Sequence, residues 1–353
     1  MREMKTQMYG APSLGSISTP RPMKAPQVIG PKTRKATRPK CEIPPILLEE
    51  ARRISPEPWD AERHLSFAPP ATVTSMKEIG LEGQGISPNA ISDPFPLFTK
   101  AAILQMRREI FSEEVLEQCR YSSDFIANMV RGMGHDRAPF TYDAWKSPEL
   151  INIVSRVAGV DLVPAFDYEI ANINISINDQ NAEPVTFGGR ESAVAWHYDS
   201  FPFVCVAMIS ECTGMVGGET AIQLPDGHIR KLRGPQMGTA VVMQGRYIQH
   251  QALKASGGRE RITMITAFRP KSPFLTDETV LTGVRGISNL EELYPQYTLY
   301  RLTLLEQRFR AMLAAEDCRT QSGRSFDLIA MRSFLSDQRD YLESMLAQLF
   351  EVE

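Results

Sequence analysis

The sequence predicts an α+β protein in which an all-β core, either an antiparallel barrel or a double-sheet jelly roll, lies between helical flanks. Apolar residues recur every three to four positions before residue 160 and again after residue 290, as on one face of a helix. Between these regions the apolar stretches have strand length, and turn residues rather than helices separate them. The chain has 353 residues, of which 42% are hydrophobic, so it is long enough to bury a large core.

We divide the chain into four parts: a flexible, basic, proline-rich arm (1–43), an irregular and helical flank (44–160), the β core (161–275) and a helical C-terminal region (276–353). Residues 44–353 are expected to form one structural unit. Residues 1–40 hold nine Lys and Arg and a single acid, whereas the rest of the chain holds 30 bases and 41 acids, a net charge of −11. A body this acidic disfavours a phosphate backbone, so we expect no nucleic-acid partner.

Cysteine usage and the lengths of the apolar runs bear on the cellular compartment. The five cysteines include no C-x-x-C pair, and the N-terminus lacks the apolar segment of a secretory signal. No apolar run approaches the ~18 residues that a membrane-spanning helix needs. We therefore expect a cytoplasmic protein without a membrane partner.

Helical spacing is clearest in three regions. It covers Lys100–Gly134 and Pro148–Ala158, and Gly159 is suited to end the second of these helices. After Tyr294 two long helices are predicted, the later one with Ser325 as its N-cap. Their apolar stripes need a partner, so we expect them to cover the mouth of the core or to form a homodimer contact. The alternative is that they buttress the outside of a sheet.

Period-two alternation predicts the strands of the core. Apolar and polar side chains alternate over Tyr168–Asn178, which indicates a strand with one polar face. Three further strands are predicted over Val194–Ile209, Gly238–Met243 and Arg261–Arg269, with glycine-rich turns between them.

A metal site is predicted from two residues that share a strand face and one that lies elsewhere in the sheet. His197 and Asp199 are two positions apart on a predicted strand, and His250 lies just beyond a later one. Two imidazoles and one carboxylate form the facial triad of non-heme Fe(II) oxygenases, which leaves coordination positions open. The H-x-D pattern alone is common by chance. The competing interpretation is that both histidines belong to the core and that Asp199 is a turn residue.

The surrounding motifs make the metal interpretation more specific. The H-x-D pair is followed by Gly217-Gly218-Glu219-Thr220, an apolar strand after Gly238, His250, and then Arg261-Ile262-Thr263. In this order the motifs resemble the Fe(II)/2-oxoglutarate-dependent oxygenases over about residues 168–270. The resemblance implies a double-stranded β-helix core, Fe(II) held by His197, Asp199 and His250, and 2-oxoglutarate and O2 as co-substrates.

The resemblance also implies an arginine that binds the co-substrate. When 2-oxoglutarate chelates a metal through its 2-oxo end, its distal carboxylate is a buried charge that needs a partner, and a guanidinium can supply two charge-assisted hydrogen bonds. Arg261 matches the family's Arg-x-Ser pair through its spacing to Thr263, and Arg259 is the alternative with the same strand parity. We expect Thr263 and Asn174 to contribute to the same co-substrate site.

Polar residues on the first predicted strand indicate the substrate. Asn172, Asn174 and Tyr168 either form the solvated face of an outer strand or line the interior, where burial is costly unless they bind a ligand. The second interpretation predicts a small, amino-acid-like substrate. Trp196 either packs in the core or lines this pocket.

Several functions fit these motifs. The family's halogenases lack the carboxylate that Asp199 provides here, so the resemblance implies hydroxylation, desaturation or oxidative cyclisation. The helical C-terminal region resembles a fungal secondary-metabolism group that includes amino-acid-oxidising, aziridine-forming members. A protein hydroxylase with the same site and a non-catalytic metal-binding jelly roll remain open. The other histidines, His64, His135 and His228, are expected at the surface.

Overall fold

The computed structural model describes most of the chain outside the N-terminal arm. The described residues are 25–30, 37–39, 41–123, 126, 128–177, 192–232, 236–253, 255–256 and 258–352. Most of the predicted arm and Asn178, the last residue of the first predicted strand, lie outside them.

Nine helices lie in the described part of the chain, seven before the β core and two after it. They are α1 (Pro45–Arg52), α2 (Ala61–His64), α3 (Lys100–Ile110), α4 (Glu113–Gln118), α5 (Gly134–Arg137), α6 (Pro139–Lys146), α7 (Pro148–Ala158), α8 (Leu290–Gln321) and α9 (Leu328–Leu346).

Sixteen strands are described, and those that follow α7 build the core. They are β1 (Val73–Ser75), β2 (Asn89–Ser92), β3 (Phe95–Pro96), β4 (Arg120–Tyr121), β5 (Met129–Val130), β6 (Leu162–Pro164), β7 (Asn172–Ile177), β8 (Ser192–His197), β9 (Phe203–Met208), β10 (Val216–Gly217), β11 (Thr220–Gln223), β12 (Ile229–Lys231), β13 (Thr239–Met243), β14 (Gln249–Leu253), β15 (Ala255–Ser256) and β16 (Glu260–Pro270).

The strand order is that of a double-stranded β-helix. Strands β13, β9, β16 and β7 are neighbours in the larger sheet, and β12, β11, β14 and β8 form the smaller one. The chain passes from one sheet to the other at β7, β8 and β9 and again at β12, β13 and β14, whereas β11 and β12 form a hairpin within the smaller sheet and β10 pairs with β15 in a separate two-stranded sheet. All the pairings within the sheets are antiparallel. Among the described strands no pairing joins these two sheets, so the core is a double-sheet jelly roll rather than a closed barrel. The predicted fold class is confirmed.

Helices cover the outer face of the larger sheet. Ile173 and Ile175 of β7 belong to one buried cluster with Ile103 of α3 and Trp145 of α6. Burying each large apolar side chain of this kind contributes about 1.5–3 kcal/mol, so the packing fixes which side of β7 faces the helices. Because side chains alternate along a strand, the polar side of β7 faces the interior between the sheets.

The predicted helices differ from the observed ones mainly between residues 111 and 134. The region Lys100–Gly134 contains α3 and the short α4, but Met129 and Val130 form β5, which pairs with β7. Pairing with the sheet edge outweighs the helical spacing there, and Gly132 has a φ of 63°, which a helix does not accommodate. The helix over Pro148–Ala158 is confirmed and ends at Gly159, whose φ is 72°.

Two predicted strands have different bounds. The first begins at Asn172 rather than Tyr168, because Tyr168 lies in a 3-10 turn and Ala171 has a φ of 57°, which interrupts an extended chain. The predicted strand Val194–Ile209 is two strands, β8 and β9, separated by a turn that carries Asp199.

The two C-terminal helices are present, but Asp327 rather than Ser325 caps α9, since its side chain accepts a hydrogen bond from the Ala330 amide. The first half of α8 packs against the jelly roll, with Leu293 and Tyr297 buried beside Phe201. That packing agrees with the buttressing alternative. A homodimer through these helices stays a prediction.

Apolar side chains remain exposed on both C-terminal helices. They are Leu299, Leu302, Phe309 and Leu313 of α8 and Leu328, Ile329, Leu335, Leu342 and Leu346 of α9. None of the described helices is both long enough and apolar enough to cross a membrane.

A short N-terminal segment, residues 25–30, packs beside the loop that connects β16 to α8. Val28 is buried, and Gly30 lies against the backbone of Thr282. Arg246 donates a hydrogen bond to the carbonyl of Pro26. The segment therefore packs on the folded body, although the sequence analysis assigns it to the flexible arm of residues 1–43.

Candidate metal centre and adjoining cavity

Three potential metal ligands meet at one end of the jelly roll. His197 is the last residue of β8, and His250 of β14 lies directly opposite it in the strand register. Oδ1 of Asp199 lies 3.4 Å from Nε2 of His197 and 3.6 Å from Nε2 of His250. All three ligand atoms lie within 4.8 Å of one another. The structure thus brings together the three residues that the sequence singled out.

His250 is held in the form that binds a metal. Its Nδ1 lies 2.9 Å from the carbonyl oxygen of Ile248, which places the proton on Nδ1 and leaves the lone pair of Nε2 directed at Asp199. Burial lowers the pKa of His250 to about 4, an effect that Asp199 opposes and His197 reinforces. The imidazole is therefore neutral at pH 7 and offers a lone pair without losing a proton.

Asp199 is the anionic member of the set. Its backbone amide donates to the carbonyl of Gly245 at 2.9 Å. Burial opposes ionisation, but His250 and His197 outweigh it and lower the pKa of the carboxyl group. Its Oδ2 is buried without a hydrogen-bond partner among the described residues.

The donor set fits a divalent first-row metal. Two imidazole nitrogens and one carboxylate oxygen suit Fe(II), and an octahedral ion held on one face keeps further positions for other ligands. The buried Oδ2 of Asp199, which has no hydrogen-bond partner among the described residues, is costly to leave without a cation, which supports the same conclusion.

A buried arginine lies in the interior beyond the metal end. Arg261 of β16 lines a cavity with Gly218, Thr220 and Thr263. Its Nη2 donates to the carbonyl of Gly218 at 3.2 Å, whereas its Nε is buried without a partner. Burial lowers the pKa of this guanidinium, and no carboxylate of the described residues forms an ion pair with it. A buried cation without an acid is suited to binding an anion.

Arg259, the alternative, is already paired. It contacts Glu50 through both terminal nitrogens, at 2.6 and 2.8 Å, and its Nε lies 2.5 Å from Glu260. Its side chain is 45% exposed. Glu260 points to the opposite side of β16 from Arg261 and is also bound by Arg107 of α3 at 3.1 Å.

The polar face of β7 lies on the same side of the larger sheet as Arg261. Asn174 is paired with Thr263, and Asn172 with Ile265, and residues that face each other across a ladder share a side of the sheet. Asn172 is 7% exposed, so at this residue the face is not solvated surface. Its Nδ2 donates to Glu169 at 2.7 Å, and its Oδ1 is buried without a partner among the described residues.

The other two residues proposed for the pocket have different surroundings. Tyr168 is buried in the turn before β7, and its hydroxyl accepts a hydrogen bond from the Asn289 amide at 2.8 Å. Trp196 is half-buried, and strand alternation directs it to the opposite face from its neighbour His197. Neither arrangement places the side chain beside the metal ligands.

The remaining histidines are separate from this site. His228 is exposed and lies 3.0 Å from Asp226, and His135 is half-exposed beside Asp143. The expectation for His64 was wrong, because its side chain is fully buried, bonded to Glu57 and stacked on Trp59. Its other aromatic neighbour, Phe140, comes from α6, a contact that the local polar sequence does not reveal.

Two features of the site gave no signal in the sequence. Arg131 and Glu169 form a buried ion pair of 2.5 Å that holds Asn172 through Glu169. The turn that contains Gly245 and Arg246 supports Asp199 from behind. In both cases the partners are far apart in the chain, and neither has a recognisable spacing.

No family model and no curated protein matches the sequence. An oxidoreductase of the 2OG-Fe(II) oxygenase family from Burkholderia pseudomallei is similar in structure, with 12% identity, a TM-score of 0.30 and coverage of 40% of this chain and 66% of that one. SnoN, a non-heme alpha ketoglutarate dependent epimerase from nogalamycin biosynthesis, is also similar in structure. It is 14% identical with a TM-score of 0.37, and the match covers 65% of this chain and 85% of that one.

A third similar structure, of a prolyl 4-hydroxylase from Phytophthora capsici, is 14% identical with a TM-score of 0.34 and covers 66% of this chain and 68% of that one. Likenesses with TM-scores this low carry no argument about function. The fold assignment accordingly depends on the strand order described above.

The low pKa of His250 predicts a loss of stability in mild acid. Between pH 6.5 and about 4 the unfolded chain binds a proton at this residue that the folded protein does not, so the free energy of unfolding falls as the pH falls. Across the whole window the effect is about 3 kcal/mol. Urea unfolding of the metal-free protein and of His250→Gln at pH 7, 6, 5 and 4.5 measures it. Equal pH dependence in both proteins would contradict the assignment.

Proposed function

We propose that this protein is an Fe(II)/2-oxoglutarate-dependent oxygenase that oxidises a C–H bond of a small, amino-acid-like substrate. The observation that carries the proposal is the convergence of His197, Asp199 and His250 at one end of a jelly roll whose interior also holds Arg261, a buried cation that forms no ion pair with any described residue. Metal binding accounts for the first three residues, and a dicarboxylate co-substrate accounts for the fourth.

Each named residue has one task in this reaction. His197, Asp199 and His250 hold the iron, which supplies the redox chemistry that activates O2. Arg261 binds the distal carboxylate of 2-oxoglutarate, and Thr263 and Asn174 face the same interior. For hydroxylation the balance is one R–H, one O2 and one 2-oxoglutarate consumed, and one R–OH, one CO2 and one succinate formed. Desaturation or cyclisation instead removes two hydrogens from the substrate and releases water.

The substrate class is proposed from the chemistry of β7. Asn172 offers a buried carbonyl oxygen that no described residue hydrogen-bonds, and Asn174 lies two residues further along the same face of β7. Neutral amides suit a small polar molecule, and the acidic body disfavours a polyanion. Membership of a fungal secondary-metabolism group and a cytoplasmic location stay predictions.

Removal of any metal ligand is expected to abolish turnover. His197→Ala, Asp199→Ala and His250→Ala each take away one of three ligands, so succinate formation should fall to background under anaerobic iron loading followed by exposure to O2. His228→Ala is the matched control, because His228 is exposed, contacts Asp226 and does not belong to the triad, and it should keep full activity.

Full activity in His250→Ala would overturn the triad. If wild-type protein binds the metal tightly but forms no succinate with any amino acid or metabolite of a broad panel, the chain is a non-catalytic metal-binding jelly roll. Succinate formation that only a peptide or protein stimulates would instead identify a protein hydroxylase.

Arg261→Ala should weaken 2-oxoglutarate selectively. Loss of the guanidinium leaves the distal carboxylate unpaired, so the Kd for 2-oxoglutarate should rise at least about tenfold, while metal affinity is unchanged. Calorimetric titration of the Mn(II)-loaded protein with 2-oxoglutarate measures the first, and titration of the metal-depleted protein with Mn(II) measures the second. Arg259→Ala is the control, since Arg259 is bound to Glu50 and Glu260. A selective loss of 2-oxoglutarate affinity in Arg259→Ala but not in Arg261→Ala would identify Arg259 as the residue that binds the distal carboxylate.

Asn172→Leu or Asn174→Leu should affect the substrate more than the metal. Either change removes a polar contact from the interior face of β7, so the KM for the substrate should rise, or 2-oxoglutarate decarboxylation should exceed product formation. Comparison of succinate and product yields measures the coupling, with Ser176→Ala on the exposed part of the same face as control. Unchanged KM and coupling in both leucine variants would remove β7 from the substrate site.

A further inference from the structure

The turn after β13 lies directly behind the carboxylate of Asp199. The carbonyl of Gly245 accepts the hydrogen bond of the Asp199 amide. A Cβ atom built on Gly245 would lie 1.8 Å from Oδ2 of Asp199, 2.6 Å from its Cγ and 3.0 Å from its Cβ. These distances are well inside van der Waals contact, so no other residue fits at position 245 while Asp199 keeps its place.

The requirement for glycine here is one of space and not of backbone conformation. The φ angle of Gly245 lies outside the left-handed region, unlike that of thirteen other glycines in the described residues. An alanine would adopt the same backbone without strain. Any effect of Gly245→Ala therefore arises from the contact with Asp199.

The turn itself is fixed, so the carboxylate is the part that has to move. Gln244 is fully buried and donates from Nε2 to the carbonyls of Ser87 and Asn89, and its Oε1 accepts from the Ile86 amide. On the other side, Arg246 donates from Nε to the carbonyl of Glu278 at 3.1 Å.

The side chain of Asp199 has fewer restraints. Its Oδ2 has no hydrogen bond to any described residue. Rotation of the carboxylate does not relieve the contact, because the axis atom Cγ is itself only 2.6 Å from the added carbon. The whole side chain would have to shift, whereas a metal site tolerates only about 0.5 Å of displacement in its ligands.

We propose that Gly245 is a positioning residue of the metal centre: because it has no side chain, the carboxylate of Asp199 can occupy the space beside it. The inference depends on the proposed metal site, since it concerns how one of the three ligands is held. It assigns to a residue without a side chain a role in metal affinity.

Titration of the metal-depleted full-length protein with Mn(II) alone tests the proposal. Gly245→Ala should bind Mn(II) about 10–100-fold more weakly than the wild type, as expected when the support of a ligand is disturbed. Gly283→Ala is the matched control: its φ is also ordinary, and the one contact of its added carbon below 3.0 Å would be with Oγ of Ser200, at 2.7 Å, the next atom being Cγ1 of Val28 at an ordinary 3.5 Å. Rotation of this hydroxyl relieves the contact at the expense of its hydrogen bond from the Gly283 amide. That variant should stay within about threefold of wild type.

A second measurement isolates the contact with Asp199. In thermal unfolding of the metal-free proteins, Gly245→Ala should lower the Tm by several degrees, because overpacking is destabilising. In an Asp199→Ala background the same substitution should have less than half that effect, because Oδ2 and Cγ are gone. If Gly245→Ala alone does not fold, folding of the double variant is the expected rescue.

The outcomes separate this inference from the function on which it depends. Wild-type affinity for Mn(II) in Gly245→Ala, or equal weakening in Gly283→Ala, overturns the role of Gly245 and leaves the metal site intact. Equal Tm losses in the two backgrounds also overturn it. A wild-type protein that binds no Mn(II) overturns the proposed function, while the Tm comparison still decides whether Gly245 and Asp199 are coupled.

Discussion

The site depends on the register between β8 and β14, the two strands that place His197 and His250 opposite each other. Side chains alternate between the two faces of a sheet, so a slip of one residue in either strand would turn one imidazole away from Asp199. The pairing is irregular just beyond the histidines, between His250 and Ala252. Irregularities of this kind change the direction of side chains, and this one lies next to the end of the smaller sheet that carries His197 and His250.

In the larger sheet, the alternation of side chains along β16 places two opposite charges on opposite faces. Glu260 and Arg261 are consecutive in β16, and yet they have opposite surroundings. Glu260 is bonded to Arg107 and Arg259 on the side of the helices, whereas Arg261 faces the interior and has no acid as a partner within the described part of the chain. The ion pairs of Glu260 hold the beginning of the strand. A strand fixed in this way keeps its next residue directed inwards, although that residue gains no ion pair of its own.

The sequence predicted the features that come from local patterns. The alternation in β7, the helix that ends at Gly159 and the H-x-D spacing each follow from the preferences of neighbouring residues, and all three are present. The short strands β11, β12 and β14 were missed because glycine and polar residues fill them or flank them, so that their period is weak. His250 therefore seemed to follow a strand, when it lies within one.

What local patterns do not contain is the set of contacts between distant segments. Nothing near Arg131 or Glu169 indicates that they form a buried pair, and nothing near Gly245 indicates that Asp199 lies against it. The tertiary fold also overruled a helical pattern at Val130, because the edge of β7 offered backbone partners there. The three candidate metal ligands were thus easier to find than the residues that hold them in place.

The segment formed by residues 25–30 has a practical consequence for handling the protein. Composition alone suggests that everything before residue 44 is dispensable, and a shortened gene would naturally start there. Such a truncation would uncover the loop against which Val28 packs and take from Arg246 its acceptor on Pro26, beside the turn that supports Asp199. Expression should therefore keep the chain from Ala25 onwards, since weak metal binding by a shorter chain would reflect the truncation rather than the site itself.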